Sequence, residues 1–214
     1  MSNGIKVNKR NGRGVEPLDL EKIHKMVEEA TKGLAGVSAS QVEIQSGIQF
    51  YDGITTEEIQ EILIRSASDL IDLDHPNYQF VAARLLLFAL RKSLYGKMRE
   101  LPHLEDHIYK CVNQEVYDAG LYDKYSKEEI DKANGYIDHT RDFLFTYAGL
   151  RQVVDKYLVQ DRSSGGVYET PQFMYMMISL TIFAEYPKEK RLSYVRRYYD
   201  AISRHKINIP TPIM

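Results

Sequence analysis

Apolar and polar residues alternate at the start of the chain. Ile5-Lys6-Val7-Asn8-Lys9 reads as a strand, Asn11-Gly12 as a tight turn, and Gly14-Val15-Glu16-Pro17-Leu18 as the returning strand. The period then becomes helical. Asp19 is placed to cap a helix whose Leu20, Ile23, Val27 and Ala30 share one face, with Gly33 as its stop. Ser40 with Glu43, and Thr55 with Glu58, have the spacing of capping boxes. They predict a second helix carrying Val42 and Ile48, and a third carrying Ile59, Ile62, Leu63, Leu70 and Ile71. Pro76 starts a fourth, which runs through the most apolar stretch of the chain, residues 80–90, and stops before Gly96. That stretch is too short to span a bilayer and contains Arg84, so it predicts a buried helix.

The second half is also mainly helical. The pattern predicts a short amphipathic helix over 104–114, a helix opened by a Ser126–Glu129 capping box, and a strongly apolar helix over 143–159. Tyr157-Leu158-Val159-Gln160 and Val167-Tyr168-Glu169 flank Ser163-Ser164-Gly165-Gly166 and predict a hairpin. Helices over 171–185 and 188–204 follow. Ile207, Ile209, Thr211 and Ile213 then share one face at period two. The fold class is mainly α. The pattern predicts a hairpin and four helices over residues 1–95, a helical domain with a short hairpin near 157–169 over residues 96–205, and an extended end over residues 206–214.

Composition narrows the function. Of the 214 residues 43% are hydrophobic and 27% charged, ordinary for a globular protein, and the net charge is −2. Without a basic field, binding along a nucleic-acid backbone is not expected. No apolar leader follows Met1, no membrane segment is indicated, and a cytoplasmic location fits. Cys111, the one cysteine, rules out a disulfide framework and a cysteine-based zinc site. His103 and His107 are spaced for one helix face, but no third ligand is evident, so no metal site is assigned. Met174-Tyr175-Met176-Met177 reads as core packing.

Lys9, Arg10 and Lys22 are the candidate chemistry. The first two sit where the first strand meets its turn, and Lys22 lies in the first turn of the next helix. Free N–H groups and the dipole favour anions at a helix start, so converging cations there suit phosphate. The alternative is a set of solvated surface charges.

Val7-Asn8-Lys9-Arg10-Asn11-Gly12, followed by a helix with Lys22-Ile23-His24, is similar to the ATP-cone domain, a four-helix bundle capped by a small sheet. Further stretches resemble the large subunit of class I ribonucleotide reductase, in its order and near its spacing. They are Tyr51-Asp52-Gly53-Ile54-Thr55-Thr56, Phe80-Val81-Ala82-Ala83-Arg84-Leu85, Tyr136-Ile137-Asp138-His139, Lys156-Tyr157-Leu158-Val159 and Pro210-Thr211-Pro212-Ile213-Met214. The collinear set is far more specific than the cone motif alone.

The resemblance implies that the cone binds ATP or dATP as an allosteric effector, with Mg accompanying it. Lys9, Arg10, Glu16, Lys22, Thr56 and Lys92 match its nucleotide-contacting positions, and Phe50, Ile59 and Phe88 match its base pocket. Residues 206–214 match the first strand of the catalytic barrel, where Thr211 falls on a substrate-contacting position. The family's bacterial cellular enzymes carry histidines at the positions of Gln60 and Ala89. Their absence here argues against inhibition by dATP and fits a phage source. The turn also holds Asn11 where aspartate is commoner.

The family's reductive chemistry needs three cysteines, and Cys111 matches none of them. The resemblance therefore implies a regulatory and structural part of the enzyme, either truncated or the product of a split gene, and inactive alone. Its partners would be the remaining C-terminal part of the large subunit, a second large subunit and the radical-generating small subunit. The 16 tyrosines match none of the family's radical-path positions. Two other functions stay open at this point: a stand-alone nucleotide-sensing module, and a structural assembly piece with a degenerate cone. The zinc-ribbon repressor that shares the cone needs four cysteines, which excludes that version of the module.

Overall fold

The computed structural model describes residues 4–9, 12, 14–161 and 163–208. Arg10, Asn11, Thr211 and most of the strand assigned to 206–214 lie outside them. The chain divides into two units, one of residues 1–90 with 145–151 and one of 91–144 with 152–214.

The first unit opens with the hairpin that the alternation predicts. Strands β1 (Lys6–Asn8) and β2 (Val15–Pro17) are antiparallel, with Val7 opposite Glu16 and Asn8 opposite Val15. A third strand, β3 (Ile54–Thr55), runs parallel to β1 and gives the order β2-β1-β3. Two residues are too few to show a period, so the sequence pattern does not reveal it. Gly53, at φ +84°, turns the chain into β3 and donates its N–H to the Lys6 carbonyl at 2.9 Å. Val7 and Ile54 are buried beneath the sheet.

Helix α1 (Leu20–Thr31) is capped by Asp19 and buries Ile23, Val27 and Ala30. Leu20, assigned by its spacing to the same face, is 65% exposed instead, because the first turn projects beyond the packed stripe. Helix α2 (Ala39–Gly47) corrects the Ser40–Glu43 capping box. Its N-cap is Ser38, without a side-chain cap bond, so Ser40 falls inside the helix. Glu43 is drawn to His24 of α1, at 2.8 Å. Ile48 follows the last turn and is exposed.

Helix α3 (Thr56–Asp69) has the full capping box of Thr55 and Glu58 and buries Ile59, Leu63, Ile64 and Ala67. It stops before Leu70, and Ile71 beyond it is exposed. Helix α4 (Tyr78–Tyr95) starts two residues after Pro76. Arg84, the charge within its apolar run, donates to the carbonyls of Ala30 at 3.0 Å and Lys32 at 2.7 Å. It thereby satisfies the end of α1, whose last turn has no cation of its own.

The second unit is built on α5 (Leu104–Asn113), α6 (Leu121–Lys124), α7 (Lys127–Asn134), α9 (Pro171–Ile182) and α10 (Lys188–Ser203), with α5 against α7 and α10 against α9 and α7. Ser126 and Glu129 form their capping box, and Glu129 also holds the buried Arg191 of α10. The single helix assigned to 143–159 is instead two pieces. A 3-10 helix (His139–Leu144) precedes α8 (Tyr147–Lys156), and Thr146 between them accepts the Gly149 N–H at 3.3 Å. The hairpin near 157–169 shrinks to one antiparallel bridge between Gln160 and Val167. Asp161 accepts from the N–H and hydroxyl of Ser163 and the hydroxyl of Ser164, bonds that shape a polar turn rather than a ladder. Ile207 is exposed. No described helix is long and apolar enough to cross a membrane.

Candidate functional site

The strand register and the first helix cap bring Lys9, Glu16 and Lys22 together. Lys9 Nζ lies 2.6 Å from Glu16 Oε2, across the β1–β2 ladder. Lys22 Nζ lies 3.2 Å from Asp19 Oδ2, and the Lys22 backbone N–H donates to Asp19 Oδ1 at 3.1 Å. The hydrogen bond from Lys9 holds the Glu16 carboxyl below its ordinary range, and Lys22 adds to the effect. The Lys22 backbone and ammonium bonds lower Asp19, which in turn raises Lys22. This is one coupled, solvent-exposed set of two cations and two anions.

Glu16, Pro17, Leu18, Asp19, Leu20 and Lys22 line a depression of about 480 Å³ at the start of α1. Part of the helix start offered to an anion is already occupied, because Asp19 takes the Lys22 N–H.

Thr56 stands at the start of α3, next to the position where β3 pairs with Asn8 of β1. Its hydroxyl donates to Glu57 at 3.0 Å. Ile59 and Phe88 are buried in the core, and Phe50 is half-buried between α2 and β3. Lys92 is exposed in the last turn of α4, four residues beyond Phe88. None of these five lines the depression. Gln60 is buried and Ala89 half-buried.

The histidine pair separates. His103 caps α5, accepting the Glu105 N–H at 3.3 Å, while His107 is buried and stacked on Phe173 at 4.2 Å. His103, Glu105 and Asp131 have potential ligand atoms within 4.8 Å of one another. Lys127 already supplies the counter-charge there, 2.7 Å from Glu105. Met174 and Met176 are core residues, as is Cys111, whose thiol burial pushes up to about 11.

The second unit also holds a buried polar chain that no local sequence pattern announces. Glu169 Oε1 accepts the Val159 N–H at 2.8 Å, its other oxygen accepts the Tyr117 hydroxyl, and Tyr117 meets His107 Nε2 at 3.1 Å. Burial pushes the Glu169 carboxyl up to about 7 and His107 down to about 3. A cavity of about 340 Å³ beside it is lined mainly by apolar residues, among them Leu121, Val159, Met174 and Ile178. Contacts spanning 10 to 52 residues leave no local signal in the sequence.

Residues 5–93 match the family model described as the ATP cone domain, and residues 143–214 that described as the ribonucleotide reductase, all-alpha domain. Over all 214 residues the chain is 50% identical to the ribonucleoside-diphosphate reductase subunit alpha of Haemophilus influenzae, and 48% identical to ribonucleoside-diphosphate reductase 1 subunit alpha of Escherichia coli. Over 201 residues, 93% of the chain, it is 43% identical to the subunit alpha of Enterobacteria phage T4. The chain spans 28% of the length of the two bacterial proteins and 26% of the phage protein. It therefore belongs to the ribonucleotide reductase family, as the N-terminal part of an α subunit that carries an ATP cone.

Proposed function

We propose that the first unit binds ATP or dATP and acts as an allosteric arm of a ribonucleoside-diphosphate reductase. The observation that carries this is a charge network beside the start of α1, in which Glu16 is held by Lys9 and also feels Lys22. In this reading the triphosphate takes the two ammonium groups and the start of α1, with Arg10 and Thr56 as further contacts and Mg offsetting its charge. Phe50, Ile59 and Phe88 supply the apolar surface for the base. Ile59 and Phe88 are sealed in the core here, so the base would enter by displacing core packing. Titrating ATP into the purified chain by calorimetry tests the reading, and a folded chain that takes up no ATP refutes it.

The reductive chemistry belongs to thiols that these 214 residues do not supply. Cys111 is buried, its thiol is held protonated, and one cysteine forms no intramolecular disulfide. We accordingly assign ribonucleotide reduction to a complex with the rest of the α subunit, a second α subunit and a radical-generating small subunit. Thr211 would contact substrate in that complex. The 214 residues assayed alone should reduce no ribonucleotide.

One observation favours a second reading, a structural piece with a degenerate cone: both lysines are already neutralised by carboxylates. The same calorimetric titration separates the two.

A further inference from the structure

We propose that Asp19 is a built-in competitor of the effector phosphate, holding the place of an anion at the start of α1 until nucleotide displaces it. This rests on the nucleotide-site reading and adds a regulatory element to it. Asp19 does two separable things. Its Oδ1 caps the helix by accepting the Lys22 N–H at 3.1 Å, and its Oδ2 holds the Lys22 ammonium at 3.2 Å. The first needs only an oxygen acceptor; the second needs a negative charge.

A phosphate approaching Lys22 meets both consequences of that charge. The ammonium must exchange one anion for another, and the carboxylate repels the incoming phosphate at short range. Asp19 also lines the depression itself, beside Glu16 and Lys22. Glu16 stands in the same relation to Lys9, at 2.6 Å, but lies on a strand and caps nothing. Asp19 is therefore where cap and charge can be taken apart by substitution.

Asparagine and serine are N-caps of similar quality to aspartate, so Asp19→Asn and Asp19→Ser keep the helix start while removing the charge. ATP and adenosine are titrated into wild type and both variants by calorimetry, with thermal melts confirming that each is folded. We expect both variants to bind ATP about two- to fivefold more tightly than wild type, the scale of an exposed ion pair, and adenosine to bind all three alike. The ATP gain should shrink as salt is raised.

Equal ATP affinity in all three proteins overturns the competition and leaves the nucleotide site standing. Weaker ATP binding by both variants overturns it too, and shows that Asp19 orients Lys22 for phosphate. Tightening of ATP and adenosine by the same factor would place the effect in the base pocket and reject the charge argument. Failure of all three folded proteins to bind ATP overturns the site reading, and the competition with it.

Discussion

Arg91 and Asp142 form an ion pair inside the helical unit, Nη2 to Oδ2 at 2.8 Å, with side chains 6% and 0% exposed. Arg91 also donates to the His139 carbonyl at 2.8 Å, and Asp142 Oδ1 accepts from Gln172 at 2.9 Å. Gln172 accepts the Tyr199 hydroxyl at 2.6 Å, so the pair ties the end of α4 to the 3-10 helix, α9 and α10. Burial raises the Asp142 carboxyl while Arg91 and Gln172 hold it down. Arg91→Met would leave that carboxylate buried without its cation, at a cost of about 3–5 kcal/mol. Urea denaturation should show this loss, with part of it recovered in the double variant Arg91→Met, Asp142→Leu. A single-variant loss below about 1 kcal/mol, the range of an exposed pair, would contradict the pair's structural role.

Glu169 makes stability depend on pH. Its carboxyl is pushed up to about 7 in the folded chain by burial, against an ordinary value of 4.5. Across that window the folded state keeps a proton that the unfolded state releases, so this group's contribution is complete below the lower value and is lost as pH rises through the upper one. Glu169→Gln removes the ionisation but can keep bonds to Val159 and Tyr117. The stability of the variant relative to wild type should therefore grow by about 3 kcal/mol between pH 4.5 and 8. His107 and His139, both lowered by burial, act in the opposite sense, but they are present in both proteins and cancel in the difference. Denaturation at a series of pH values checks this, and a pH-independent difference would contradict it.

Two serine/threonine positions with the same local spacing should respond differently. Thr55 completes a capping box with Glu58, whereas Ser40 lies inside α2 and caps nothing. Thr55→Ala should cost about 1 kcal/mol in chemical denaturation. Ser40→Ala should stay within about 0.5 kcal/mol of wild type. Equal effects would show that the Thr55 box is not formed in solution.

That contrast shows how far the fold is legible in the sequence. Ser40-x-x-Glu43 and Thr55-x-x-Glu58 carry the same signature, but α2 begins earlier, at Ala39, and Glu43 bonds to His24, 19 residues away. Local rules place the hairpin, Asp19, Thr55, Ser126 and the long helices, because each rests on contacts within four residues or on a sustained period. They fail where a distant partner decides. β3 exists only through its pairing with β1, more than 40 residues away. The candidate site follows the same division. Lys9, Glu16 and Lys22 converge through a strand register and a helix start, both readable. The counter-charge role of Asp19 is hidden behind its evident role as a cap. The Glu169–Tyr117–His107 chain is invisible until the helices pack.

Under the proposed function, Gln60 and Ala89, where the resemblance implies histidines, should weaken the response to dATP. Allosteric switching between ATP and dATP needs a coupling difference of about 1–3 kcal/mol, which two imidazoles could supply and these residues do not. In the assembled enzyme, dATP at concentrations that saturate the cone should leave activity largely intact. An activity titration checks this, and strong inhibition would show that other residues carry the switch.

Calorimetry of ATP with the folded chain and its Lys9→Ala and Lys22→Ala variants decides whether Lys9 and Lys22 form an effector-phosphate site. We expect saturable binding of one ATP to the wild type, weakened about tenfold or more in each variant, as loss of a charge-assisted contact requires. Absence of ATP binding by the folded wild type, or equal affinity in all three proteins, would contradict it.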